Sequence, residues 1–276
     1  MDKIYSKENV MKKILVILLS IITTAVLSAP IELPDNLTQK QVEDISAEFA
    51  MNLSHTAVAA PETKGLWGIE VGIVGGQTSS PELSNLIDQA GSNGNDFKKI
   101  YHGGLIGRAH IPFDIFAEAT VLPEREISDV NFKNASFGLG WNAGAYFNLP
   151  LDVAIGANFS SSEIKFNQSV DVAGLPVDSD INFQAKTKVI YFGLSKEFLF
   201  ITPYIKMGAA SFDSDVKVDV NGGTIFASNK QSATADGSGG YYVIGANLQL
   251  LLLRIGIEAS KSVDIGRVTG KLSLAF

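Results

Sequence analysis

Beyond Gly65 apolar and polar residues alternate one by one, whereas before it apolar residues recur at helical spacing. Successive side chains of a strand point to opposite faces, so the alternation predicts strands with one apolar row and one small or polar row. A first strand sets Trp67, Ile69, Val71 and Ile73 against Gly68, Glu70 and Gly72. A second, near 100–111, sets Tyr101, Leu105, Ala109 and Ile111 against His102, Arg108 and His110. After Pro112 a third, near 113–122, sets Phe113, Ile115, Ala117, Ala119 and Val121 against Asp114, Glu118 and Thr120. The fourth has Phe137, Leu139, Trp141, Ala143, Ala145 and Phe147 on its apolar row, with Gly138, Gly140, Asn142, Gly144 and Tyr146 opposite. Leu151, Val153, Ile155, Ala157 and Phe159 mark a fifth, whose polar continuation turns near Gly174 and Pro176. In the sixth, 186–198, Val189 and Tyr191 compete with Ile190, Phe192 and Leu194 for the apolar face, which leaves its parity open. The seventh runs through Tyr204 to Phe212, the eighth over 241–250, and the ninth over 253–260 with Arg254, Gly256 and Glu258 on the polar row. The tenth sets Val268, Leu272, Leu274 and Phe276 against Arg267, Thr269, Lys271, Ser273 and Ala275.

Short connections near Pro112, Pro150, Phe200 and Leu251 alternate with connections that are mostly long. Aromatic residues sort the same way. Trp67, Phe113, Phe147, Phe198, Tyr204 and Phe276 fall near the short-turn end, and Tyr101, Phe137, Phe159, Phe212, Tyr241 and Tyr242 near the other. Two aromatic girdles, short turns on one side and longer loops on the other predict an all-β fold: a transmembrane antiparallel up-and-down barrel of about 10 strands (8 to 12).

The terminal strand carries a further signal. Phe276, Leu274 and Leu272 are an aromatic residue at the end with hydrophobic residues two and four places before it. This resembles the closing strand of bacterial outer-membrane β-barrels, in which that pattern is read by the barrel-assembly machinery. Lys271 stands where the usual pattern has glycine, which comes one step early here as Gly270, and Leu274 replaces a second aromatic. The resemblance implies residence in the outer membrane of a Gram-negative-type bacterium, contact with outer-membrane lipid and lipopolysaccharide, and barrel-assembly machinery as a partner. Oligomeric state is left open.

Ahead of the barrel, Lys12 and Lys13 precede an apolar run over 14–27 and the small residues Ser28 and Ala29, the order of a cleaved signal peptide. The run is shorter than the ~20 residues that a spanning helix needs. The expected organisation is a signal peptide at 1–29, with Met11 as an alternative start, a periplasmic segment with a helix at 30–64, and the outer-membrane barrel at 65–276. Thr38 and Gln41 form a T-x-x-Q capping box, and Val42, Ile45, Phe49 and Leu53 share one face of a helix over 39–53. That helix can cover the periplasmic mouth, enter the lumen as a plug, or pack on a partner. Ser80, Pro81 and Gly91 delimit a short loop helix. His55, just past the first helix, is expected at the surface.

Charged residues make up 18% of the chain, below the roughly 25% of average soluble domains, and the net charge of −7 comes without a basic cluster. Nucleic acid is excluded as a partner. The absence of cysteine removes disulfides, thiolate metal sites and a cysteine nucleophile. No cofactor or metal is expected.

Glu70, Arg108, Asp114, Glu118, Arg254, Glu258, Arg267 and Lys271 all fall on the polar rows of strands that become neighbours when the tenth closes on the first. Confined together, they form a lumen network that either seals a narrow barrel or lines a charge-selective constriction. The barrel histidines His102 and His110 lie roughly 25 Å apart along one strand and cannot serve one site. Asp171, Asp178, Asp180, Asp213, Asp215 and Asp219 lack calcium-loop spacing and are read as solvated loop residues. The expected function is a narrow, porin-like channel for small solutes or lipophilic compounds, and not an enzyme. The alternatives are a closed barrel whose loops bind envelope or surface partners and, more remotely, an outer-membrane protease or lipid A-modifying enzyme.

Overall fold

The computed structural model describes residues 38–62, 68–89, 94–127, 130–144, 149–172, 175–221 and 229–276. The expected signal peptide, Trp67 and Phe147 lie outside the described residues. A helix α1 (Gln39–Asn52) precedes β1 (Gly68–Ser79), and α2 (Pro81–Gln89) lies between β1 and β2 (Lys99–Ile111). There follow β3 (Ile115–Ile127), β4 (Val130–Asn142), β5 (Asp152–Val172), β6 (Leu175–Ser195), β7 (Ile201–Asn221), β8 (Asn229–Leu250), β9 (Leu253–Ser262) and β10 (Ile265–Ala275). Each strand pairs antiparallel with its sequence neighbours, and β10 closes on β1 with Glu70 opposite Ala275 and Thr78 opposite Arg267. A closed barrel leaves no unpaired edge, which is what a sheet in hydrocarbon requires.

The exterior is apolar. Ile69, Leu105, Leu139, Ile155, Ile190, Ile205, Ile244 and Ile257 are all exposed on the outer rows, a surface far larger than a water-soluble chain carries. Strands β1 to β4, β9 and β10 run 10 to 13 residues, matching the ~9–11 residues of a membrane-crossing strand. Strands β5 to β8 run 21 or 22 residues, so one wall stands well above the rest. The expected long connections are therefore mostly tall paired hairpins: β5 and β6 pair as far as Val172 with Leu175. Asp171, Asp178, Asp180, Asp213, Asp215 and Asp219, expected in loops, belong to these strands.

The parity left open in β6 resolves with Ile190 and Phe192 outward and Val189 and Tyr191 buried. Of the expected girdle residues, Phe113, Tyr101, Phe159 and Tyr242 are exposed on the outside, but Tyr204 and Tyr241 are buried in the lumen, as is Phe212. Their register explains the correction. Tyr204 lies against Gly245 and Tyr191 against Gly156, so closely that a Cβ on either glycine would collide with the ring. A narrow lumen admits a large side chain only where the facing residue is small. Asp114 is also corrected: it lies with Phe113 in the β2–β3 turn, both with positive φ, and stands outside the lumen row because β3 starts at Ile115.

The outward row of β6 makes a test. Ile190→Arg would place a cation on the lipid face and should lower stability by about 2–4 kcal/mol if the site lies near the bilayer midplane. Urea unfolding in lipid vesicles measures it.

Candidate functional site in the barrel lumen

The barrel interior is occupied by the chain's own N-terminal segment. Thr38 caps α1 by accepting from the Gln41 N–H, and the Gln41 side chain accepts from the Thr38 N–H, the reciprocal box read from the sequence. Ala47, Ala50 and Met51 on α1 pack with Ile164, Phe183, Phe212 and Ala235 on the inner face of the tall wall, so the helix sits at the long-hairpin end of the barrel. Residues 53–62 then run down the lumen, every one of them buried and with a positive φ at Val58, to the short-turn end where β1 begins. Of the three positions open to the helix, it takes the lumen, and the segment expected in the periplasm lies inside the barrel.

The descending segment belongs to no strand, so its backbone groups need other partners. Inward side chains supply them. Asn134 donates to the Leu53 carbonyl oxygen at 2.9 Å and Thr120 to that of Thr56 at 2.9 Å. Arg108 sends both terminal nitrogens to the Ala60 oxygen at 3.1 Å, and Ser195 and Asn142 donate to the carbonyl oxygens of Pro61 and Glu62. The Asn247 amide, in the orientation that satisfies both ends, donates to the Val58 oxygen and accepts from the Ala60 N–H, each at 3.0 Å. Two glycines are cut to fit: a Cβ on Gly193 would stand 2.9 Å from Pro61 Cγ, and one on Gly256 would stand 2.9 Å from Val58 Cγ1.

Seven of the eight charged residues expected in the lumen are brought there, and Asp114 is not. Glu70, Arg108 and Glu118 stand directly opposite one another across β1, β2 and β3. Arg108 Nε lies 3.1 Å from Glu118, and the guanidinium covers the Phe116 ring at 4.8 Å. Glu70 accepts from Ser273 at 2.6 Å and pairs with Lys271 at 2.6 Å and Arg254 at 3.1 Å. Arg254 also meets Glu62 of the segment at 3.0 Å. Glu258 takes the Tyr204 hydroxyl at 2.8 Å with Lys206 3.8 Å away, a cation absent from the expected network because the girdle reading of Tyr204 and Phe212 turns its row of β7 outward.

His55 was also misplaced: it is buried, carried into the lumen by the segment. Its Nδ1 lies 2.8 Å from the Ser136 hydroxyl and its Nε2 3.3 Å from Glu118. A hydroxyl, an imidazole and a carboxylate in that order suit acyl transfer. Here, however, the Ser136 hydroxyl donates to the Thr120 carbonyl oxygen, and the other Glu118 oxygen is held by Arg108. The trio pins the segment to β3 and β4.

At the upper end Glu48 accepts from the backbone N–H groups of Glu82 and Leu83 at 2.7 and 3.0 Å, tying α1 to the start of α2. Burial, opposed by those two donors, pushes its carboxyl up to about 7. A raised carboxyl pKa means the docked helix holds a proton that the free one releases, so docking is tightest below the ordinary carboxylate range and weakens as pH rises through about 7.

Two outcomes follow. Raising the pH from 6 to 8 should lower the urea concentration at which a thiol at Ala50→Cys becomes reactive, and Glu48→Gln should remove that dependence. Arg108→Leu alone should destabilise the barrel by about 3–5 kcal/mol by stranding Glu118, and adding Glu118→Leu should restore part of it. A double-mutant cycle in vesicles reads this.

Solved structures similar to this chain are β-barrels of low sequence identity. Ail, the attachment invasion locus protein of Yersinia pestis, is 12% identical over 78% of this chain and 100% of its own, with a TM-score of 0.31. The translocator domain of the autotransporter NalP from Neisseria meningitidis is 11% identical over 86% of this chain and 94% of its own, with a TM-score of 0.41. The Ralstonia pickettii toluene transporter TbuX is 8% identical over 83% and 96%, with a TM-score of 0.28. No curated protein matches the chain. A family model described as a family of unknown function (DUF6588) matches residues 93–262, more than half of the sequence, and the chain belongs to that family.

Proposed function

We propose that this is an outer-membrane barrel forming a narrow passage for small solutes, closed at rest by its own N-terminal segment. The observation that carries the reading is residues 53–62, buried along the lumen and held there by side chains. An interior that side chains alone can fill belongs to barrels of about eight strands, so this ten-stranded wall encloses more room than that and is left with a passage once the segment is out. Withdrawal is favoured by the segment's own residues: Ala57, Ala59 and Ala60 place only methyl groups against the wall, and water can replace many of its polar contacts.

A second reading, a closed barrel whose tall hairpins bind surface partners, draws support from the 21- and 22-residue strands β5 to β8. In either reading Leu272, Leu274 and Phe276 serve as the assembly signal, with Leu274 and Phe276 exposed on the outer row.

Single-channel recording of the refolded full chain separates the two. The natural protein should be silent or open only briefly, and Ala60→Trp, which puts a large ring at a fully buried position of the segment, should conduct steadily. Silence in both, with both barrels refolded, would remove the passage and leave the scaffold.

A further inference from the structure

Arg267 differs from the other lumen arginines. Arg108 is answered by Glu118 and Arg254 by Glu70, carboxylates that belong to the barrel wall. Arg267 is equally buried, yet among the described residues no carboxylate forms a salt bridge with it, Glu258 acting on it only from farther off. All the acceptors of its hydrogen bonds there belong to the N-terminal segment: Nη1 donates to the Met51 and Ser54 carbonyl oxygens at 3.1 Å and to the Ser54 hydroxyl at 2.8 Å, and Nη2 to the His55 oxygen at 3.4 Å. The Met51 oxygen is one of the last carbonyls of α1, where the helix dipole places partial negative charge. A buried guanidinium facing a helix C-terminus and three further oxygens sees the surroundings of a bound anion, made without one.

The rest of the wall points the same way. Among the described residues the buried charges on the strands are Arg108, Lys206, Arg254, Arg267 and Lys271 against Glu70, Glu118 and Glu258, five cations to three carboxylates. The segment supplies what balances them: Glu62 on Arg254, and carbonyl oxygens on Arg108 and Arg267. Arg267 and Lys271 are four positions apart on β10, about 13 Å along the strand. With the segment withdrawn, the lumen holds a descending row of cations and an excess of positive charge between low-dielectric walls, which concentrates anions.

We infer that the lumen binds small oxyanions, carboxylate- or phosphate-bearing solutes, at Arg267, with Arg108 and Arg254 below it, and that residues 51–62 occupy this site as a built-in substitute for the ligand. This rests on the reading of the lumen as a passage closed by its own segment, and it names the solute class. A guanidinium takes a carboxylate or phosphate through two parallel N–H donors, a geometry that neutral solutes do not match. Solute and segment then compete for the same donors, so an anion at the mouth promotes withdrawal of the segment.

Competition gives the test, and the absence of native cysteine makes it clean. Ala59→Cys places the only thiol of the full-length refolded protein on the buried segment. Its reaction with a water-soluble maleimide should run several-fold faster in sodium phosphate than in sodium chloride of equal ionic strength, and likewise in sodium succinate. In the Arg267→Gln background the rate should rise in both salts and the difference between them vanish. Equal rates in phosphate and chloride with Arg267 intact, or a thiol unreactive in both, would overturn the inference. Ala57→Cys repeats the measurement should the first variant fail to refold. Faster labelling in phosphate without conductance in Ala60→Trp would keep the anion site and remove the passage; conductance with equal labelling would do the reverse.

Discussion

A backbone segment without a strand partner, held away from water, must have its N–H and C=O groups met by something. The interior of this barrel is arranged around that requirement. Residues 53–62 pair with no strand, so the wall offers Asn134, Thr120, Arg108, Asn247, Ser195 and Asn142 in turn as the chain descends. Those residues are polar because the segment is there, and the segment can be there because they are polar. An apolar lumen of the same width would leave each of these groups unsatisfied, at a cost of about 1–3 kcal/mol apiece.

The same requirement explains the mixture of charge in the lumen. Glu70 gathers Lys271, Arg254 and Ser273, and Glu118 gathers Arg108 and His55, so each carboxylate serves several donors. Cations outnumber carboxylates on the wall because carbonyl oxygens from the segment make up part of the difference. Higher up, the chemistry changes. Around α1 the tall wall presents Ile164, Phe183 and Phe212, and the helix is held by apolar packing with Glu48 tied to α2.

Much of this was legible in the sequence because a strand between lipid and lumen leaves a period-two record. The alternation of Ile69, Val71 and Ile73 with Gly68, Glu70 and Gly72, and of Leu272 and Leu274 with Lys271 and Ser273, fixes which face each side chain takes. The Thr38 and Gln41 capping box is equally local, since both partners lie within one turn. The segment was not legible: Thr56 to Ala60 are small residues of no periodicity, and nothing local states that a chain segment will be swallowed by a wall formed later. For that reason the sequence places His55 at the surface, whereas it is buried. Tyr204 and Tyr241 were assigned outward because aromatic residues near a membrane surface suggest a girdle, whereas Gly245 opposite Tyr204 is recognisable as its socket only once β7 and β8 are aligned. The upper halves of β5 to β8 read as loops because their outward row is polar there, as in Glu163, Lys165 and Asp213, and only pairing between the strands distinguishes a tall hairpin from a loop.

The path of the N-terminal segment bears on how the molecule comes to exist. The residues that end up at the centre are made before any strand that surrounds them, and the seam between β1 and β10 is completed by the last strand of the barrel. A ring that shuts around an earlier part of its own thread either captures it while still open or must have it inserted through a finished hole. Capture is the simpler course, with the segment serving as a mandrel on which the wall is wound. On that course the oxygens that quiet Arg267 and Arg108 in the finished protein are already present when those cations first leave water, so the barrel is spared an empty, charged interior at the moment of closure.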